Sequence, residues 1–142
     1  MPTPDPLPPV TAFPRPEIFA ALGAEGIRNL LRRVYVELGQ SSIASLFPSE
    51  PEALQAAADK SSLFFVGICG GPPLYEKKYG PPRMRLRHQP FAITDEARLV
   101  WLGCWEEVLK TAPETEGFPR EHLDTFREYL TTFSRWMVNK EG

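Results

Sequence analysis

Residues 80–101 read GPPRMRLRHQPFAITDEARLVW and hold His88, one of only two histidines in the chain. An imidazole with an ordinary pKa near 6.5 can move a proton near neutral pH, or bind a metal through one nitrogen while the other donates a hydrogen bond. Arg83, Arg85 and Arg87 stand before it, and with Lys77 and Lys78 they make five cations in eleven residues. Such density suits an anion, either nucleic-acid phosphate or the carboxylates of a smaller ligand. Residues two apart on a helix point about 200° apart, so the three arginines cannot form one stripe and only one or two can meet a single ligand. Each group also has a plainer reading: a packed histidine, a solvated charged loop. His122 lies in the polar first turn of the last expected helix and reads as solvated.

Helices must position these groups. Ile18, Phe19 and Leu22 predict a short helix ended by Gly23. Ile27, Leu30, Leu31, Val34, Tyr35 and Leu38 continue at helical spacing to Gly39. Residues 49–52, Ser-Glu-Pro-Glu, have the form of a capping box and predict a helix from Pro51, with Leu54, Ala57, Ala58, Ser61, Phe64, Phe65 and Ile68 on its inner face. Gly70-Gly71-Pro72-Pro73 ends it. Residues 74–93 read as irregular, and a loop of that length in a compact domain is usually functional. Thr94 caps a further helix running through Lys110, with Val100, Trp101, Cys104 and Val108 on one side. Leu123, Phe126, Leu130, Phe133 and Met137 predict a last helix of about five turns. Strand alternation and internal repeats are both missing, so the expected class is all-α.

Composition narrows the function. The chain has 142 residues and is 42% hydrophobic, which suits one domain able to bury roughly two-thirds of its unfolded surface. Sixteen basic residues against eighteen acidic ones leave a net charge of −2, which argues against nucleic acid and against an anionic membrane as partners. Cys69 and Cys104 are too few and too far apart for a disulfide framework or a CxxC metal site. Without a signal peptide or an apolar run of membrane length, the expectation is a soluble cytoplasmic protein with reduced thiols. Seven prolines among the first sixteen residues cannot propagate a helix, so residues 1–15 read as an extended tail joining the fold near Phe13, and 16–142 as the domain.

In an all-helical domain the usual small-molecule site is a slot between helices. A haem suits this slot, since it needs one neutral imidazole, apolar and aromatic walls, and cationic or hydroxyl donors for its propionates. Phe47, Phe64, Phe65, Phe91 and Trp101 can supply walls, although each also reads as an ordinary core aromatic. Tyr35 and Trp101 carry an O–H and an N–H that need acceptors if buried.

The stretch GGPPLYEKKYGPPRMRLRHQPFAITDEARLVWLGC, residues 70–104, resembles the signature of the group II truncated haemoglobins. These are bacterial and plant globins built as a two-over-two helical sandwich around haem b. The GGP doublet, a tyrosine three residues later, RxRH-x-PF and a tryptophan thirteen residues beyond the histidine carry the likeness. It extends more loosely over the rest of the chain except the proline tail. The resemblance implies His88 as the iron's protein ligand, Tyr35 and Trp101 as donors to a bound gas, and Ala57 and Ser61 at the gate and facing the ligand. It further implies Phe47 and Phe64 against the porphyrin, with Phe91 also lining the cofactor, and Tyr75 and Arg87 at the propionates. The expected ligands are O2 and other diatomic gases such as CO and NO. Alternatives are a peroxidase or NO dioxygenase fed by a reductase, and a gas sensor or interaction module. Where the family commonly has Gly-His-Pro this chain has Gly80-Pro81-Pro82. The final WMVNKEG lies outside the family's minimal fold, so it either makes subunit contacts in a homodimer or covers the core of a monomer.

Overall fold

A computed structural model of the protein describes residues 14–140. The proline-rich stretch up to Phe13 lies outside the described residues, while Pro14 is already buried against the domain. Seven α-helices follow: α1 (Glu17–Gly39), α2 (Pro51–Ile68), α3 (Leu74–Tyr79), α4 (Met84–Arg87), α5 (Asp95–Leu109), α6 (Ala112–Thr115) and α7 (Leu123–Met137). Single 3-10 turns, Ala44–Leu46 and Arg120–His122, precede α2 and α7, and no strand occurs among the described residues.

The long helices make a two-over-two sandwich in which α1 packs on α2, α5 packs on α7, and α1 meets α5 between the pairs. The spacing that predicted α1 is the spacing that packs, since Ile27, Leu30, Leu31, Val34 and Leu38 are all at most 2% exposed. They share one core with Phe65, Val66, Trp105, Val108, Phe118, Phe126 and Leu130. Aromatic edges fill its centre: Trp105 lies 5.4 Å from Phe126 and 5.2 Å from Phe65, ring centre to ring centre. Gly23 (φ 69°, ψ 176°) breaks the helical path, so the two helices expected on either side of it run on as one kinked element.

The GGP doublet fits where the chain crosses itself. Gly70 has φ 96°, and a Cβ there would come within 2.6 Å of Pro16 Cα. A Cβ on Gly71 would meet Phe19 Cδ2 at 2.6 Å and Val66 Cγ1 at 2.7 Å. Glycine lets the end of α2 sit directly beneath the start of α1, where Phe19 N–H also donates to Cys69 O.

Four further sequence expectations change. The capping box does not form: α2 starts after Glu50, and no side chain bonds its free N–H groups. Proline inside the first turn already lacks one of those donors, which lessens the need for a cap. Residues 74–93 are not wholly irregular, because they contain α3 and α4, of six and four residues. Helix α2 has two working faces where one was expected. Ala58, Ser62, Phe65 and Val66 enter the core, while Ala57, Ser61 and Phe64 turn toward a cavity. Finally, α7 has 15 residues, about four turns. Thr94 caps α5 as expected, its hydroxyl accepting from Ala97 N–H at 3.1 Å.

Candidate functional site

A cavity of about 420 Å3 opens between the helix pairs, reached by side chains of α1, α2, α3, α4, α5 and α7. Ten residues singled out from the sequence stand on its wall. Tyr35 comes from α1, Phe47 from the end of the first 3-10 turn, and Ala57, Ser61 and Phe64 from α2. Tyr75 comes from α3, Arg87 from α4, His88 and Phe91 from the turn that follows it, and Trp101 from α5. Helical spacing puts Ala57, Ser61 and Phe64 in line, at i, i+4 and i+7.

His88 caps the C-terminus of α4, and its Nδ1 lies 2.7 Å from Met84 O. A carbonyl only accepts, so Nδ1 carries the proton and Nε2 keeps its lone pair. Burial lowers the imidazole pKa, the Met84 bond partly offsets that, and the charge of Lys60 lowers it further. The ring is therefore neutral near pH 7, and among the described residues Nε2 has no hydrogen-bond partner. No group of three or more His, Cys, Asp or Glu gathers among the described residues to cage a metal ion. The metal chemistry open to His88 is thus that of a single protein ligand with its second nitrogen oriented by the backbone.

The walls are largely aromatic. Tyr35 meets Phe47 edge-on at 5.6 Å, Phe64 packs against Phe133 at 5.7 Å and against Tyr75 at 6.2 Å, and Trp101 lies 6.5 Å from Phe133. Burial pushes the Tyr35 phenol up, with the neighbouring Ser61 hydroxyl pulling the other way. Burial also raises Tyr75, opposed by the charge of Arg87. Both phenols keep their protons at neutral pH.

The cations divide by task. Arg83 is exposed in left-handed backbone (φ 42°) at the start of α4, and Arg85 reaches Val138 O at 3.3 Å. Only Arg87 of the three lines the cavity, in keeping with their two-residue spacing. Its Nε donates to Pro82 O at 2.6 Å, and its Nη2 lies 3.1 Å from both Tyr79 O and Pro81 O. One guanidinium thus gathers the Gly80-Pro81-Pro82 bend and keeps Nη1 for other work. Lys60 and Arg98 also line the cavity, and the sequence reading missed both. Lys60 stands over the Tyr79 ring at 4.5 Å, and Arg98 is 9% exposed with its Nε on Asp95 at 2.8 Å. A long charged side chain next to Ser61 or in the first turn of α5 reads as solvated, and only packing shows otherwise. His122 stays outside the cavity, 3.9 Å from Glu17.

A haem fits this donor set: a neutral imidazole with a free Nε2, apolar walls, and the cations Lys60 and Arg87 where the cavity meets solvent. Fold and site together define a globin of the truncated class. Residues 17–139 match the family model described as bacterial-like globin. The group 2 truncated haemoglobin YjbI of Bacillus subtilis is 33% identical over 122 residues, covering 86% of this chain and 88% of that protein. Phosphate-bound Hell's gate globin IV superposes with a TM-score of 0.86 at 34% identity, over 100% of this chain and 86% of that one. The truncated oxygen-avid haemoglobin of B. subtilis gives 0.75 at 31%, over 85% and 98%. The chain belongs to the bacterial-like globins, and within them to the group II truncated haemoglobins.

Proposed function

We propose that the protein is a haem b globin that binds O2, and also CO and NO, with His88 as the iron's protein ligand. The observation that carries this reading is the state of His88, whose Nδ1–H is held by Met84 O while Nε2 is free in an aromatic-walled cavity. What haem supplies when bound is reversible coordination of a diatomic gas. Tyr35 and Trp101 donate to that gas: the phenol is kept protonated by burial, and an indole N–H has no other state in water. Phe47 holds the Tyr35 ring from its edge, Ser61 lies beside its hydroxyl, and Ala57 leaves room for entry. Phe64 and Phe91, both on the cavity wall, would pack against the cofactor. Tyr75 and the remaining Nη1 of Arg87 would meet the propionates, and Lys60 adds a second cation at the mouth. The oxygen-avid relative in B. subtilis supports O2 as the ligand.

Among the described residues no helix is long and apolar enough to cross a membrane, and Cys69 and Cys104 are free, buried thiols. A reducing cytoplasm suits both, and a reductase there would keep the iron ferrous. The test is the absorption spectrum of the purified protein. A Soret band that shifts on reduction and again with CO, and that is lost in His88→Ala and kept in His122→Ala, is the expected result. A wild-type chain that takes up no haem overturns the reading.

A further inference from the structure

His88 projects from the end of a four-residue helix. One turn of helix cannot hold itself in water, so the place of the imidazole must be imposed by tertiary contacts. Those contacts come from beyond the last helix. Val138 leaves α7 with φ −59° and ψ 125°, which turns the next residues back across the 85–93 segment. Asn139 Nδ2 then donates to His88 O at 3.3 Å and to Phe91 O at 3.1 Å, while its Oδ1 accepts from Ile93 N–H at 3.0 Å. Asn139 N–H and Lys140 N–H both donate to Ile93 O, at 3.0 and 3.2 Å, and Val138 O accepts from Arg85. The orientation of the carboxamide is fixed by its surroundings: two carbonyls require the NH2 end, and one N–H requires the oxygen.

We propose that Asn139 is a positioning residue for His88: its side chain ties together the two ends of the His88–Phe91 turn and the strand of backbone at Ile93, and so sets the reach of the imidazole into the cavity. The C-terminal segment is then part of the site, not a cover for the core. Asn139 does not line the cavity, and acts through the backbone of the 88–93 segment. This inference rests on the haem reading for its consequence: with haem bound, loosening the clamp would weaken the hold of His88 on the iron.

The experiment compares the wild type with Asn139→Ala and Asn139→Asp, and with Lys140→Ala as a control that keeps every backbone bond. Asn139→Asp keeps an acceptor for Ile93 N–H and turns an oxygen toward the two carbonyls that the amide served. The expected results are a shift of the iron–histidine stretching band in the ferrous protein and a roughly tenfold faster transfer of haem to apomyoglobin in both Asn139 variants. Amide exchange in the protein as purified adds a measurement that needs no haem: the Ile93 amide exchanges faster in Asn139→Ala than in the wild type. An unmoved band and unchanged transfer rate in both variants, with the Soret band present, overturn the proposal and leave the haem reading intact. If the wild type binds no haem, the haem reading fails, and an Ile93 amide indifferent to Asn139→Ala then removes the clamp as well.

Discussion

His88 Nδ1 and Met84 O, 2.7 Å apart and one helical turn from each other, fix the tautomer of the one imidazole in the cavity. Because burial holds that imidazole below its usual pKa, the unfolded chain binds a proton more readily than the folded one. Its contribution to stability is present above the unfolded value of about 6.5 and is lost as pH falls through the lower folded value. The urea midpoint of the haem-free protein should therefore fall as the pH is lowered below about 6.5. His88→Gln should flatten that drop, and parallel curves for the two proteins would contradict the buried, neutral ring.

Tyr35 and Trp101, proposed as donors to the bound gas, can be ranked by its release. A hydrogen bond to a partly charged acceptor is worth roughly 1.5–3 kcal/mol, so Tyr35→Phe or Trp101→Phe should each speed O2 dissociation roughly ten- to a hundredfold. CO gathers much less negative charge and should respond far less. Burial and Ser61 both act on the Tyr35 hydroxyl, so Tyr35→Phe and Ser61→Ala should be coupled by more than about 0.5 kcal/mol in a double-mutant cycle. Stopped-flow displacement measures all of this. Equal responses of O2 and CO would show the residues working by steric access.

The ten cavity residues were legible in the sequence for two different reasons. Tyr35 and the line Ala57, Ser61, Phe64 sit on helical faces whose period is readable, though period alone does not separate core from cavity. That is why Phe65 and Phe64 read alike from spacing and then part company by one residue of rotation. His88, Tyr75 and Arg87 lie in helices of four and six residues, or at their ends, too short for any period to show: His88 and Arg87 stood out by residue type alone, and only the family likeness brought in Tyr75. Nothing local marks Lys60, Arg98 or Asn139. Each is a polar residue whose partner lies far away in the chain or whose stem is buried by packing. The single asparagine after α7 closes contacts 46 to 51 residues away.

Arg33 and Glu116 test the frame around the site. Arg33 Nε and Nη2 meet the two Glu116 oxygens at 2.9 and 2.7 Å, while Nη1 reaches Thr111 Oγ1 at 2.9 Å. The pair ties α1 to the end of α6, and a cation there also faces the carbonyl end of α5. Side-chain exposure is 34% for Arg33 and 3% for Glu116, so removal of the arginine leaves the more deeply buried charge alone. Arg33→Met should cost about 2–3 kcal/mol, less than a fully buried pair because water reaches the guanidinium, and should lower Tm by roughly 5–10 °C. Glu116→Gln should cost less. Thermal melts that rank the two the other way would mean that Glu116 finds other donors.

Arg87 carries the last prediction, since its guanidinium serves the backbone of the 79–82 bend before it serves any ligand. Three carbonyls, of Tyr79, Pro81 and Pro82, share its Nε and Nη2, and no lysine can reproduce that planar fork with one compact ammonium. The bend needs such a brace because prolines at 81 and 82 have no N–H of their own, leaving carbonyls to be satisfied from outside. Arg87→Lys keeps the charge at the cavity mouth and removes the fork. If the residue acts mainly as a charge for the propionates, haem should leave Arg87→Lys about as slowly as the wild type and Arg87→Gln faster. If the brace dominates, both variants should lose haem severalfold faster by the same factor, and limited proteolysis should cut the 79–82 bend in both. The three carbonyl bonds favour the second outcome, and a lysine variant with wild-type haem retention and an uncut bend would refute it.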